Sequence, residues 1–288
     1  MSMNDGAGVA LSEAPHNPLE HGYAWRDGDL ARQVRHRLLM CPPTHFKAAP
    51  QRAQSQWQTL RAQLQASAGK IELIAPGHDL PDMPFTANAG LVLGNMFVPS
   101  RFRHPERRGE ETRFIGWFDH AGYRIRPLPK DICFEGAGDA LVDRGHSRLW
   151  LGYGHRTDLA AAAALERILE IEVMPLRLVN PRFDRLDSCL CPLRGGRLLY
   201  YPGAFDAASV QLIEQTVPAH LRLAVSDSDA LELACNAVDM DDTLLLHRAS
   251  QALQDALAGF GYRVLQLPLD EFVQAGASAK SLCLRLDE

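Results

Sequence analysis

One pattern recurs along the chain and limits the folds open to it. A helical stretch, often a glycine, an alternating strand and usually a proline appear as Gly69-Lys-Ile-Glu-Leu-Ile-Ala-Pro76, Gly122-Tyr-Arg-Ile-Arg-Pro127, Glu170-Ile-Glu-Val-Met-Pro175 and Gly261-Tyr-Arg-Val-Leu-Gln-Leu-Pro268. The first three end about 48 residues apart, and the last follows after about two such steps. A further unit is therefore expected to end near position 222, where His220-Leu-Arg-Leu-Ala-Val225 follows a helix-like stretch at 207–217 but lacks the proline. Helical spacing is clearest at 51–68, where Trp57, Leu60 and Leu64 share a face, and at 159–169, rich in Ala and Leu. Five units, each with one amphipathic helix and short strands, predict a five-fold pseudo-symmetric α/β propeller with helices on the outside. In such a ring the loops at one end of the strands converge on the axis, so polar residues far apart in sequence meet in one pocket.

The chain has 288 residues, 46% of them hydrophobic and 23% charged, which suits a soluble globular protein with a sizeable core. One large domain is expected over 30–288. The preceding segment, 1–29, has few apolar residues and reads as a mobile arm or lid. A net charge of −5 and the lack of a long Lys/Arg block argue against nucleic acid or an acidic membrane as partner. No apolar run approaches the roughly 20 residues of a membrane span, and the amino terminus lacks a secretory layout, so a cytoplasmic location is expected. Six cysteines are too sparse for a disulfide framework, and Cys189-Leu-Cys191 lacks the second ligand pair of a zinc site. Neither metal nor organic cofactor is expected.

Six short motifs carry the chemistry. They are Leu80-Pro-Asp-Met-Pro-Phe-Thr-Ala-Asn-Ala-Gly90, Arg101-Phe-Arg-His-Pro-Glu106, Phe134-Glu-Gly-Ala-Gly-Asp139, Gly152-Tyr-Gly-His-Arg-Thr-Asp158, Phe183-Asp-Arg-Leu-Asp-Ser-Cys189 and Ala234-Cys-Asn-Ala-Val238. In this order, over almost the whole chain, they resemble the amidinotransferase and dimethylargininase branch of the guanidino-modifying (pentein) superfamily. That resemblance implies the same propeller and an attack on the planar, cationic carbon of a guanidinium group. Carboxylates or amides must hold the plane, a thiolate adds to it, and a base handles protons.

On the resemblance, Glu135 and Asp187 pair with guanidinium N–H groups, Asn88 stands beside them where several relatives carry Asp, and Arg156 grips the α-carboxylate of an arginine-like ligand. Gly136 and Gly138 suit a close backbone turn at a ligand, whereas Asp82, Asp139 and Asp158 read as turn or capping residues. His45 and His155 read as surface or capping residues, and His104 as part of a loop over the pocket. Arg101, Arg103, Arg107 and Arg108, followed by Glu110 and Glu111, read as a salt-bridged, solvated face.

Two positions depart from the family pattern. Lys280-Ser281-Leu282-Cys283 stands where relatives have Lys-Cys-Leu-Thr, which puts Ser281 at the nucleophile, and Arg185 stands where relatives carry the catalytic His. Arg cannot accept a proton, and a hydroxyl without a base is a poor nucleophile. Cys283, two residues on, would have to be re-aimed by a bulge to serve as a relocated nucleophile. Arg185 would pair with Asp187 or Glu135, and it either fills the substrate's place or turns the pocket toward anions. A cation beside a cationic ligand repels it by about 4 kcal/mol at 4 Å.

The expectation from these losses is a degenerate, non-catalytic pseudoenzyme that binds a small amino-acid-like ligand or a partner such as a paralogue. The alternative is an active hydrolase or amidinotransferase on an arginine-like substrate. Relatives often pair, so a homodimer is left open, and the sequence does not decide the oligomeric state.

Overall fold

The computed structural model describes residues 36–67 and 69–288, which carry five three-stranded sheets of one repeated design. The expected arm at 1–29 lies outside the described residues. β1 (Arg37–Met40) leads through helix α1 (Pro50–Ala66) to β2 (Lys70–Leu73), which lies parallel to it. β3 (Gly90–Leu93) turns back antiparallel onto β4 (Met96–Pro99), and α2 (Arg108–His120) carries the chain to β5 (Arg124–Ile125), parallel to β4. The same path runs through β6 (Ala140–Val142), β7 (Arg148–Tyr153), α3 (Ala161–Leu169) and β8 (Glu172–Arg177). It is repeated by β9 (Leu190–Leu193), β10 (Arg197–Tyr200), α4 (Ala207–Thr216) and β11 (Arg222–Ala224).

A short helix α5 (Asp227–Leu231) precedes the last unit: β12 (Val238–Met240), β13 (Thr243–Leu246), α6 (Gln251–Gly259) and β14 (Arg263–Gln266). Helix α7 (Asp270–Val273) then leads to β15 (Leu284–Arg285), which pairs antiparallel with β1. One sheet is thus built from both ends of the described chain.

The outer strands β2, β5, β8, β11 and β14 fall on the five repeats read from the sequence, including the unit near position 222 that lacks its proline. Pro175 differs from the other prolines in lying within β8, where its Cα partner is Leu151. This is an outer strand of its sheet, and Pro is tolerated at such an edge because it lacks an N–H to donate. Helix α1 starts with Pro50 in its first turn and buries Ala53, Trp57, Leu60 and Leu64. Helices α4 and α6 start at side-chain caps, with Asp206 accepting from the Ser209 N–H and Ser250 from the Leu253 N–H. Strands away from the outer edge bury both faces: Leu91 and Val92 of β3, Leu190 and Leu193 of β9 and all of the middle strand β13 are enclosed.

Before the inner strand of each sheet the chain makes one short turn. These are the 3-10 turns Thr86–Ala89, Gly136–Gly138 and Leu186–Ser188, and the turns at 232–235 and 279–282. Each is joined to the next. The Ala87 N–H donates to the Ser281 carbonyl at 3.2 Å, the Leu186 N–H to the Asp139 carboxylate at 2.9 Å, and the Asn236 amide to the Asp187 carbonyl at 3.0 Å. The Lys280 N–H closes the fourth junction on the Asn236 carbonyl at 3.3 Å. The fifth junction is steric: a Cβ on Gly136, whose φ is +57°, would lie 2.5 Å from the Gly90 nitrogen. Gly136→Ala combines a left-handed backbone with a backbone clash, and is expected to lower stability by about 2–4 kcal/mol. The urea midpoint at constant m-value reads this directly.

Candidate functional site

The five turns gather Asn88, Glu135, Asp187, Asn236 and Ser281, all buried. Several of their polar atoms have no partner among the described residues: both oxygens of Glu135, the amide oxygen and nitrogen of Asn88, and Oδ1 of Asp187. Leaving so many buried donors and acceptors unsatisfied is costly unless something else meets them. Acceptors on two carboxylates, with an amide beside them, match a planar group rich in N–H donors. A Cβ at Gly138 would lie 2.2 Å from the Asn88 amide nitrogen, so only glycine lets these two turns approach.

Asn236 fixes the opposite wall. Its Oδ1 accepts the backbone N–H groups of Ser278 at 3.0 Å and Ser281 at 3.1 Å, which settles the orientation of the amide. Its Nδ2 therefore donates, to the Asp187 carbonyl and to Ser281 Oγ at 2.9 Å. Ser281 Oγ must accept that bond, and its own proton goes to Asp187 Oδ2 at 2.8 Å. Burial raises the Asp187 carboxyl, opposed by Arg185, Lys280 and the Ser281 hydrogen bond. Asp139, raised well above the ordinary aspartate value by burial, ties two turns together: Thr157 Oγ1 donates to its Oδ2 at 2.6 Å and the Leu186 N–H to its Oδ1. This is the turn role read from the sequence. Asp158 accepts from the Cys133 N–H at 2.8 Å in a similar way.

The cationic residues line up around this centre. Arg156 donates twice to Asp184 Oδ2, at 2.8 and 2.6 Å, and lies 3.7 Å from Glu135. Its guanidinium therefore already has a carboxylate partner. Arg185 is buried, with NH2 donating to the Gly276 carbonyl at 3.0 Å and Nε 3.9 Å from Asp187 Oδ1. His155 Nε2 is buried without a partner, and its ring lies near enough to help hold the Asp184 carboxyl below its ordinary value, an effect led by Arg185 and Arg156 working against burial. Cys283 follows the turn, but its thiol bonds to the carbonyls of Ala279 at 3.5 Å and Lys280 at 3.8 Å and packs into an apolar cluster with Leu38 and Leu282. Burial pushes this thiol up to about 11, far from a thiolate at neutral pH.

The solvated arginine face does not form as read. Arg103 does pair with Asp158 on the surface, but Arg107 and Glu110 are both buried, joined by two hydrogen bonds of 2.8 Å, with the Arg107 head 4.3 Å from the Phe102 ring centre. An i, i+3 pair at the start of α2 can turn inward, and here Arg107 also donates to the Asp82 carbonyl at 3.3 Å, anchoring the loop that leads to Asn88. Burial raises Glu110 despite Arg107, so the pair is held by geometry rather than by cheap ionisation. Asn236 was the other residue that motif reading passed over. Its signal was present in Ala234-Cys-Asn-Ala-Val238, but a lone Asn gives no hint that all of its polar atoms are used. Among the described residues, no group of His, Cys, Asp and Glu could hold a metal ion, and no helix is long and apolar enough to cross a membrane.

Residues 44–186 match the family model of eukaryotic N,N dimethylarginine dimethylhydrolase. The N(G),N(G)-dimethylarginine dimethylaminohydrolase of Mycobacterium tuberculosis is 33% identical over 279 residues, covering 91% of this chain and 90% of that protein. The bifunctional arginine dihydrolase/ornithine cyclodeaminase AgrE of Nostoc sp. is 47% identical over 88% of this chain, and the chain spans 38% of the length of AgrE and of its Synechocystis counterpart ArgZ. The solved N-terminal domain of ArgZ, an arginine dihydrolase, superposes with a TM-score of 0.86 at 45% identity, covering 88% of this chain and 98% of that one. That domain has been seen with substrate, with product and covalently bonded to a reaction intermediate. Catalytic relatives this similar overturn the expectation of a non-catalytic pseudoenzyme. The physical reason is that the two substitutions leave the remainder of the pocket, with its unpaired acceptors, in place.

Glu110→Ala would strand the Arg107 charge in the interior, and is expected to cost about 3–5 kcal/mol in thermal or urea unfolding. Glu111→Ala, on the same helix, loses only the bond from the Phe102 N–H at 2.9 Å and should cost about 1 kcal/mol.

Proposed function

The chain belongs to the dimethylarginine dimethylaminohydrolase family of guanidino-modifying enzymes, and from that premise we propose that it hydrolyses C–N bonds of an arginine-like guanidino substrate in the manner of an arginine dihydrolase. The observation that carries this reading is the set of unpartnered buried acceptors on Glu135 and Asp187 beside the Asn88 amide. A guanidinium seated there would give its N–H groups to both carboxylates.

We read the five sheets as the blades of one closed propeller around this pocket. Support comes from the pairing of β15 with β1 and from the circle of turns, joined by hydrogen bonds at four junctions and by close packing at the fifth. The domain of ArgZ has been studied as an asparagine-to-serine and a cysteine-to-serine variant, and those two positions stand as far apart in sequence as Asn88 and Ser281. The cysteine-to-serine variant is the one seen with substrate, so a serine in that setting is compatible with binding. Crystals of a cysteine-to-alanine variant of AgrE hold L-arginine, and those of AgrE hold ornithine with NAD+.

On this reading Ser281 Oγ attacks the guanidinium carbon, its proton passes to Asp187 Oδ2 and on to the departing nitrogen, and ammonia leaves; water then adds to the O-linked carbon and breaks the C–Oγ bond, which releases a citrulline-like product and restores the hydroxyl for a second round to ornithine. Arg185 cannot serve as base because it stays protonated, whereas a carboxyl raised by burial is a better proton acceptor than an ordinary aspartate. A hydroxyl remains a weaker nucleophile than a thiolate, which predicts slow turnover.

Mass-spectrometric measurement of L-arginine conversion should show citrulline or ornithine with ammonia from the native protein. Ser281→Ala should abolish this, Ser281→Cys should raise kcat by at least tenfold, and Cys283→Ala should leave it unchanged. Absence of product from arginine, methylated arginines and agmatine would sink the hydrolase reading, and loss in Cys283→Ala would move the nucleophile there.

Acid should also weaken substrate binding. The folded pKa of Asp187 lies above its ordinary value, so as pH falls this carboxylate is neutralised before an exposed aspartate would be. Calorimetric arginine affinity is expected to decline over that range, and Asp187→Asn should weaken binding at neutral pH and flatten this part of the pH profile.

A further inference from the structure

Arg185 stands in a pocket shaped for a guanidinium and is itself a guanidinium. Its stem lies against the two turns that carry the unpartnered acceptors, with Cδ 3.3 Å from where a Cβ on Gly138 would be, next to the Asn88 amide. The head is buried between two carboxylates, 3.9 Å from Asp187 Oδ1 through Nε and 3.9 Å from Asp184 Oδ1 through NH1. Both distances exceed hydrogen-bond range. Among the described residues Nε and Asp187 Oδ1 each lack a hydrogen-bond partner although they lie 3.9 Å apart. One hydrogen bond among the described residues holds the head, to the Gly276 carbonyl, in a turn where Gly276 has a φ of +77°. The charge is thus near enough to neutralise Asp187 but is not locked onto it.

We propose that Arg185 is a tethered competitor for the substrate's guanidinium, a specificity-determining residue that yields Asp187 only to a cationic ligand able to displace it. This inference rests on the reading of the pocket as a guanidinium site. Displacement has a destination. Asp184 is partly exposed, already lies 3.9 Å from NH1, and is held in place by Arg156. As the ligand takes Asp187 and Glu135, the Arg185 head moves onto Asp184 and leaves Gly276. A neutral isostere offers Asp187 no charge in exchange, so it displaces Arg185 poorly. The same side chain that lowers affinity for arginine therefore discriminates against uncharged analogues.

Titration calorimetry on the full chain tests this with L-arginine and its neutral isostere L-citrulline, using the native protein, Arg185→Ala and Arg185→Lys, each checked for folding by circular dichroism. Arg185→Ala is expected to bind arginine at least tenfold more tightly than the native protein while gaining less than threefold for citrulline, with Arg185→Lys between. Adding Glu135→Gln to Arg185→Ala should remove the gain, which places it at this site. Equal or weaker arginine binding in folded Arg185→Ala overturns the competitor and makes Arg185 a ligand contact. If neither the native protein nor any folded variant binds arginine, the guanidinium-site reading fails as well, an outcome distinct from the first.

Discussion

The protein depends on five short turns holding one another. Each contains buried backbone N–H and C=O groups that a single turn cannot satisfy internally, and such groups must find partners. The partners come from the adjacent repeat: Ala87 from Ser281, Leu186 from Asp139, and Asn236 from Asp187, Ser278 and Ser281. Because these residues lie tens to almost two hundred positions apart, no repeat completes the site alone. Pocket and tertiary structure therefore form together, and damage to one junction reaches the chemistry two turns away.

Electrostatics follow from that enclosure. Asp139 and Asp187 are pushed up by burial, and Glu135 is buried with neither oxygen hydrogen-bonded among the described residues. Around them stand Arg107, Arg156, Arg185 and Lys280, of which Arg107 is committed to Glu110 and Arg156 to Asp184. Among the described residues only Arg185 is both close to an unpartnered carboxylate oxygen and loosely held, and the proposed competition with a ligand rests on that.

Much of the architecture was legible because a repeat is a statement about the whole chain. Five outer strands fall where the helix, strand and proline units place them, and the helix faces of Trp57, Leu60 and Leu64 follow from period alone. The motifs also located Asn88, Glu135 and Asp187, which the turns bring together. What sequence could not give was direction. Arg107 and Glu110 look like any surface pair until α2 turns them inward, Arg156 reads as free to hold a ligand until Asp184 is found beside it, and Asn236 shows its reach only when four bonds converge on one amide. The expectation of lost activity erred for a related reason. It weighed Ser281 and Arg185 as letters missing from a motif, whereas chemistry depends on what each group touches.

Ser281 makes the point. Since both backbone bonds to Asn236 Oδ1 fix the amide, Nδ2 can only donate, and the hydroxyl is left with one direction for its proton. That direction is Asp187 Oδ2, while Oδ1 of the same carboxylate stays open toward the pocket. On the proposed reading, one aspartate divides its two oxygens between a proton acceptor's task and a guanidinium holder's. The division also carries a conflict, because each proton that Asp187 accepts diminishes the charge with which it holds the cation. Arg185 at 3.9 Å tempers this, favouring the ionised carboxylate when no ligand is present. On that reading a serine nucleophile needs the arginine to move aside for binding without going far, and the carboxylate of Asp184, 3.9 Å from its NH1, would keep it within reach.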